Sequence, residues 1–186
     1  MLVTHFDFDI NQQAAHIRAV DMVKNQLYSR FGLSEQARIE KAELGCLGEF
    51  AFEHFLRANH HHFQVDRRNF TNRNTDEYDF LINGKKIDIK VAKKSTPGKP
   101  DDRWTYGYPA EQRPVQKDFV VIGWVDFSKK EVGFYGWITG IAITRFPIVT
   151  KNSFKGYNYF TPNHEFQWGV LEKNFDNLFD NLSDQM

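Results

Sequence analysis

Asp79, Asp88 and Lys90 are the residues of this chain whose types and spacing can do hydrolytic chemistry. They flank Asn83-Gly84, and Asn-Gly between two apolar-rich runs is the strongest short-range signal for a two-residue hairpin turn. With Asn83 and Gly84 in the turn, Ile82 faces Lys85, Leu81 faces Lys86, Phe80 faces Ile87 and Asp79 faces Asp88. Residues opposite each other on one face have Cβ atoms about 4.5–5.5 Å apart, and like charges placed that way repel unless a cation lies between them. Lys90, two residues beyond Asp88, projects from the same face. Two facing carboxylates supply the hard oxygen donors that suit Mg²⁺ or Mn²⁺. A divalent ion beside a lysine is a site for hydrolysing phosphodiesters.

The flanking segments must hold that hairpin. Residues 9–32 read as a helix with Ile10, Ala14, Ile17, Val20/Met22 and Leu27 at roughly helical spacing and Gly32 as its stop. Ser34 is an N-cap for a second helix to about residue 59, with Ile39, Ala42, Leu44, Leu47, Ala51, Phe55 and Leu56 as its apolar positions. Its Gly45 and Gly48 each cost about 1 kcal/mol relative to alanine, which makes sense if the sheet packs closely there. A short strand over 63–66 and a polar loop over 67–77 precede the hairpin, expected over 77–94. Residues 95–117, with Pro97, Pro100, Pro109 and Pro114, read as a long irregular loop of the kind that is often functional. Strands follow over 118–125 and 131–138, then a short helix capped by Thr139, an uncertain aromatic strand over 155–160, and a helix over 171–182 with Leu171, Phe175, Leu178 and Leu182 on one stripe. The whole chain, 1–186, reads as one α/β domain: N-terminal helices over 9–59, the hairpin, and C-terminal strands and helix over 118–186.

The length suffices for one full hydrophobic core. No apolar run is long enough to span a bilayer, so no membrane partner is expected. The N-terminus lacks the pattern of a secretory signal, and the single cysteine, Cys46, excludes an internal disulfide framework; both suit a cytoplasmic protein. The formal net charge of +0 argues against a strongly nonspecific DNA binder, yet residues 85–117 carry +5 while residues 164–186 carry −4. A neutral total can therefore hide a basic face beside the hairpin.

Asp79, eight intervening residues and Asp88-Ile89-Lys90 resemble the PD-(D/E)xK core of restriction-endonuclease-like nucleases. The upstream segment Gly45-Cys46-Leu47-Gly48-Glu49-Phe50 is similar to the glycine-and-glutamate helix that precedes this core in many members. The likeness covers roughly residues 40–140, and Tyr78 stands where the family name has proline. It implies a mixed central sheet flanked by helices. It also implies that Glu49 joins the metal cluster with Asp79 and Asp88, that the backbone carbonyl of Ile89 is a further metal ligand, and that Lys90 is the catalytic cation.

The activity expected is that of a metal-dependent DNA endonuclease, using Mg²⁺ or Mn²⁺. RNA cleavage, four-way-junction resolution and action as a homodimer stay open. Arg67, Arg68, Lys93, Lys94, Arg103, Trp104, Tyr106, Tyr108 and Arg113 interleave bases with aromatics and are candidate nucleic-acid contacts. Lys94 is also an alternative catalytic lysine if the strand continues that far. The competing reading is a non-catalytic binding module on the same fold, with the aspartates in a surface ion-pair ladder beside Lys86. His60-His61-His62 cannot all face one metal, and Cys46 is a small packing residue with no partner to activate it.

Overall fold

The computed structural model describes residues 2–4, 6–26, 29, 32–65 and 78–183. Strand β1 (Leu2–Thr4) is followed by helices α1 (Phe8–Lys24) and α2 (Glu35–Ala58). Next come β2 (Gln64–Val65), β3 (Phe80–Ile82), β4 (Lys85–Lys93), β5 (Thr105–Pro109), β6 (Phe119–Asp126) and β7 (Glu131–Thr139). Helix α3 (Gly140–Ile143), strands β8 (Ile148–Lys151) and β9 (Asn158–Gln167) and helix α4 (Phe175–Leu182) complete the fold.

The Asn-Gly turn forms as its chemistry requires. Asn83 and Gly84 both take positive φ, 47° and 76°, which a twist-matched two-residue turn needs. The pairs Phe80–Ile87, Leu81–Lys86 and Ile82–Lys85 follow in the expected register. The Asn83 side chain donates to the Leu182 carbonyl at 2.8 Å and so ties the turn to α4. The ladder stops at Phe80, however. Asp79 sits at a bend outside the strand, so the two aspartates are not a ladder pair as expected.

Among the described residues the strands form two sheets, a six-stranded one in the order β1-β7-β6-β4-β3-β2 and a three-stranded one in the order β5-β9-β8. The large sheet is mixed: β4 runs parallel to β6, and its other pairs are antiparallel. A parallel neighbour needs a crossover, usually a helix. Here residues 94–118 cross over carrying β5, so the stretch expected to be an irregular loop is a strand of the second sheet followed by two short 3₁₀ turns, Ala110–Gln112 and Pro114–Gln116.

Side-chain alternation divides the large sheet between two cores. Ile87, Ile89, Val121, Val125 and Phe134 face α1, α2 and α4. Val120, Ile122, Trp124 and Tyr135 join Tyr108, Phe166 and Trp168 of the small-sheet side. The fold is thus mixed α/β, with helices on one face of the sheet and a second sheet on the other. The mixed sheet with flanking helices is as expected; the cover of its other face by β5, β8 and β9 was not anticipated.

Helix α2 matches its expected span, with Ser34 Oγ accepting from the Ala37 amide at 3.2 Å. Helix α1 ends at Lys24, well before Gly32, where Asn25 caps it and Gln26 turns left-handed at φ 74°. Its buried face is Phe8, Ala15, Ala19, Met22 and Val23, whereas Ile10 and Ile17 of the expected stripe are exposed. Cys46 is buried against Met22, with its Sγ 3.6 Å from the thioether sulfur. The C-terminal helix begins at Phe175 rather than Leu171, but Leu171, Phe175, Leu178 and Leu182 are all buried. Among the described residues no helix is long and apolar enough to cross a membrane.

The two glycines of α2 have different surroundings. A Cβ on Gly48 would lie 2.7 Å and 2.9 Å from the methyls of Val91, a stiff β-branched side chain on β4, whereas a Cβ on Gly45 would meet nothing within 4 Å. Gly48 is the close approach of helix to sheet; Gly45 is not. Gly45→Ala should stabilise the protein by about 1 kcal/mol through helix propensity. Gly48→Ala should lose that gain to a steric cost of about 1–3 kcal/mol. Urea unfolding of both variants, and of Gly48→Ala with Val91→Ala, reads the difference; equal stabilities for the two alanine variants would contradict the packing.

Candidate active site

Strand β4 places Asp88 and Lys90 on the side facing the small sheet, because Ile87 and Ile89 point to the helices. Lys90 Nζ lies 2.8 Å from Asp88 Oδ2. The same oxygen accepts a hydrogen bond from the Tyr108 hydroxyl at 2.9 Å, and Asp88 and Tyr108 are both buried. Asp79 reaches the group from the bend before β3: its Oδ2 accepts from the Ile89 amide at 2.6 Å. The hairpin therefore brings Asp79, Asp88, Ile89 and Lys90 together, through the Asp79–Ile89 bond instead of a cross-strand pair.

The electrostatics are those of crowded carboxylates. Burial, then the charges of Asp88 and Glu49, push the Asp79 carboxyl well above the usual carboxylate range, against the opposing effect of Lys90 and the Ile89 amide. Burial disfavours the Lys90 ammonium, but Asp88 and Asp79 outweigh it and hold its pKa well above the ordinary lysine value. Lys90 is a permanent cation here. Burial and the Asp88 charge raise the Tyr108 hydroxyl, which stays a proton donor to the carboxylate.

Glu49 enters from α2 and is near enough to act on Asp79, while its Oε2 lies 3.3 Å from an Arg18 nitrogen on α1. Lys117, buried just before β6, belongs to the same electrostatic group: burial lowers its pKa, and the Asp88 charge partly restores it.

Asp79 and Asp88 offer oxygen donors of the kind a hard divalent ion takes. Each aspartate commits only Oδ2 to hydrogen bonds or ion pairing among the described residues, leaving Oδ1 open. No group of three or more His, Cys, Asp or Glu side chains among the described residues could hold a metal. That excludes, for these residues, a closed transition-metal cage. Mg²⁺, which keeps several waters, would need only one or two carboxylates. Asp79 and Asp88 would hold the ion, with the Ile89 carbonyl as a further donor and Glu49 as an accessory.

The residues expected to touch nucleic acid scatter. Lys94 is not beside Lys90: β4 ends at Lys93, and Lys94 is buried in an ion pair with Asp126 at 2.8 Å. The structure thus commits the Lys94 ammonium to Asp126 and does not bring it to Asp88. Trp104 packs on Trp168, with ring centroids 5.0 Å apart, and belongs to the core. Arg103 is exposed but paired with Asp101 at 2.8 Å. Lys93, over the Phe127 ring at 5.5 Å, and Arg113, between the two 3₁₀ turns, remain on the surface. Arg67 and Arg68 lie outside the described residues.

Sequence reasoning missed Lys117 and Arg18 and took Tyr108 for a loop contact. The alternation through Thr105–Pro109 is a signal for β5, but its pairing with β9 and the approach of Lys117 to Asp88 arise from distant segments. Comparisons with known protein families, with curated proteins and with solved structures gave no match.

The raised pKa of Asp79 sets a pH dependence. A carboxyl whose folded pKa exceeds its unfolded one contributes stability that is fully present below the unfolded value, about 4, and is lost as pH rises through the folded value. Without divalent ions, Asp79→Asn should therefore match the parent in acid and become increasingly more stable than it as pH rises past the ordinary carboxylate range. Mg²⁺ should narrow the gap by stabilising the parent alone. Thermal unfolding across pH, with and without Mg²⁺, tests both; a gap that does not change with pH contradicts the assignment.

Proposed function

We propose that this chain is a metal-dependent DNA endonuclease of the PD-(D/E)xK type, built on a restriction-endonuclease-like core. The observation that carries the reading is the convergence of Asp79, Asp88 and Lys90 at one hairpin, with Glu49 approaching from the preceding helix. The order of elements supports it as well: a helix with the glutamate, the hairpin, then β6 running parallel to β4 and β7 antiparallel to it.

In this reading Asp79 and Asp88 bind Mg²⁺ or Mn²⁺ through their open oxygens. A divalent ion bound there supplies Lewis-acid polarisation of the scissile phosphate. Lys90, held cationic by both aspartates, stabilises charge developing on the phosphate oxygens. Tyr108 fixes the Asp88 carboxylate, and the Ile89 amide fixes that of Asp79, so neither must reorganise during the reaction. Lys117 adds a second positive group near Asp88. Glu49, beside Arg18, adjusts the field at Asp79.

A non-catalytic module on the same fold is the second reading. It draws on Asp88 Oδ2, which already carries both Lys90 and Tyr108, as a purely structural carboxylate would.

The two readings separate in a nuclease assay on supercoiled plasmid, linear duplex, single strands and a four-way junction, run with Mg²⁺, Mn²⁺ or EDTA. Cleavage should require the metal. It should fall by about 100-fold or more in Asp88→Ala and in Lys90→Ala, with the circular dichroism of the fold retained. Cleavage retained in both variants would overturn the assignment. Absence of both cleavage and calorimetric Mg²⁺ uptake would favour the binding module.

A further inference from the structure

The small sheet carries a surface that the chemistry at Asp88 does not use. The β8–β9 hairpin exposes Ile148 (58%), Phe154 (70%), Tyr157 (52%) and Phe160 (58%) within a short span. Single exposed apolar residues are ordinary, but a cluster of large ones marks an interaction site. Residues 145–160 also contain Arg145, Lys151 and Lys155 and no acidic residue, and all three basic side chains are exposed. Aromatic faces among cations match a polyanion whose bases stack, better than an apolar partner surface.

The tip is held in place. Asn152, only 2% exposed, accepts from the Phe154 and Lys155 amides at 3.1 Å and 2.6 Å. Its amide nitrogen donates to Thr105, Tyr159 and Glu165. Glu165, buried on β9, accepts further bonds from the Ser153 amide and from the Tyr159 hydroxyl at 2.6 Å. The tip is thus clamped to the small sheet while Phe154 and Tyr157 project outward. Such preorganisation reduces the ordering cost of binding.

The hairpin also adjoins α2. Lys41 Nζ lies 4.9 Å from the centre of the Phe160 ring. Lys41, Gly45 and Glu49, spaced four apart, share one face of that helix, and Gly45 opens onto free space. At the helical rise, Lys41 and Glu49 are about 12 Å apart along the axis. The hairpin therefore lies beside the α2 face that carries Glu49.

We propose that the β8–β9 hairpin is a stacking platform for unpaired nucleotides of the DNA substrate, with Phe154 and Tyr157 receiving bases and Lys151 and Lys155 meeting phosphates. This deepens the nuclease reading and rests on it for the substrate: DNA with a single-stranded segment beside the scissile bond.

Fluorescence anisotropy of the full chain with fluorescein-labelled oligo-dT and with a blunt duplex, both in EDTA, tests it. Phe154→Ala and Tyr157→Ala should each weaken oligo-dT binding by about 10-fold or more and leave duplex binding nearly unchanged. Both side chains are more than half exposed, so an unaltered melting temperature is expected and serves as the folding control. Oligo-dT affinity equal to the parent's in both variants overturns the proposal. So does equal weakening for duplex and single strand, or a sedimentation change showing that the patch joins two copies of the chain. Binding in EDTA is read without cleavage, so this result stands apart from whether the site at Asp88 hydrolyses a phosphodiester.

Discussion

Strand β4 is covered on both sides, and the rest of the fold arranges itself around that constraint. One side carries Ile87 and Ile89 into the helical core; the other carries Asp88 and Lys90 under the small sheet. Taking a carboxylate and an ammonium out of water costs several kcal/mol per ion, and their attraction offsets this only when geometry and hydrogen bonding are good. The Asp88–Lys90 pair meets that condition through Tyr108, which β5 supplies. A crossover helix would present side chains at helical spacing. The extended β5 instead places Tyr108 against Asp88 and pairs with β9 along its other edge.

Local chemistry was legible in the residues, and distant pairing was not. Asn83-Gly84 defined the turn and its register because both φ angles are set within the dipeptide. Ser34 and Thr139 marked helix starts because capping is likewise local. Asp79, Asp88 and Lys90 were brought together for the same reason, although the bend at Asp79 replaced a cross-strand pair by a bond to the Ile89 amide. Strands β1 and β5 are short, and their partners β7 and β9 lie far away along the chain, so nothing local could reveal those pairings. The α1 stripe was assigned to the wrong face because Ile10 and Ile17 outweigh Ala15 and Ala19 in hydrophobicity, whereas close packing on α2 selects the small residues. Lys94 resembled a second active-site lysine until Asp126, at the end of β6, took it into a buried pair.

Helix α2 links packing to the site through its two glycines. Gly48 has no room for a side chain, and this contact with Val91 fixes the distance from α2 to β4. Glu49 is the next residue, so the same contact sets how near its carboxylate comes to Asp79. Gly45, one turn back, meets nothing and leaves the helix face bare. Its cost in helix propensity has no compensation in the packing around it.

The carboxylate networks at Glu165 and at Asp79 contrast, and the contrast bears on which one is structural. At Glu165, burial would raise the pKa, but bonds from Ser153, Tyr159 and Asn152 outweigh it, and the carboxyl ends below its ordinary value. That network is satisfied from within: its donors neutralise it, and its product is a fixed hairpin. At Asp79 the balance runs the other way. The Ile89 amide and Lys90 do not overcome burial and two neighbouring carboxylates, and the pKa ends well above the ordinary value. A group whose only task was to join strands would gain by being neutral, as an asparagine would be in the same place, still accepting the Ile89 amide. In the nuclease reading proposed above, a divalent cation would supply the positive charge that Lys90 and the Ile89 amide do not fully provide.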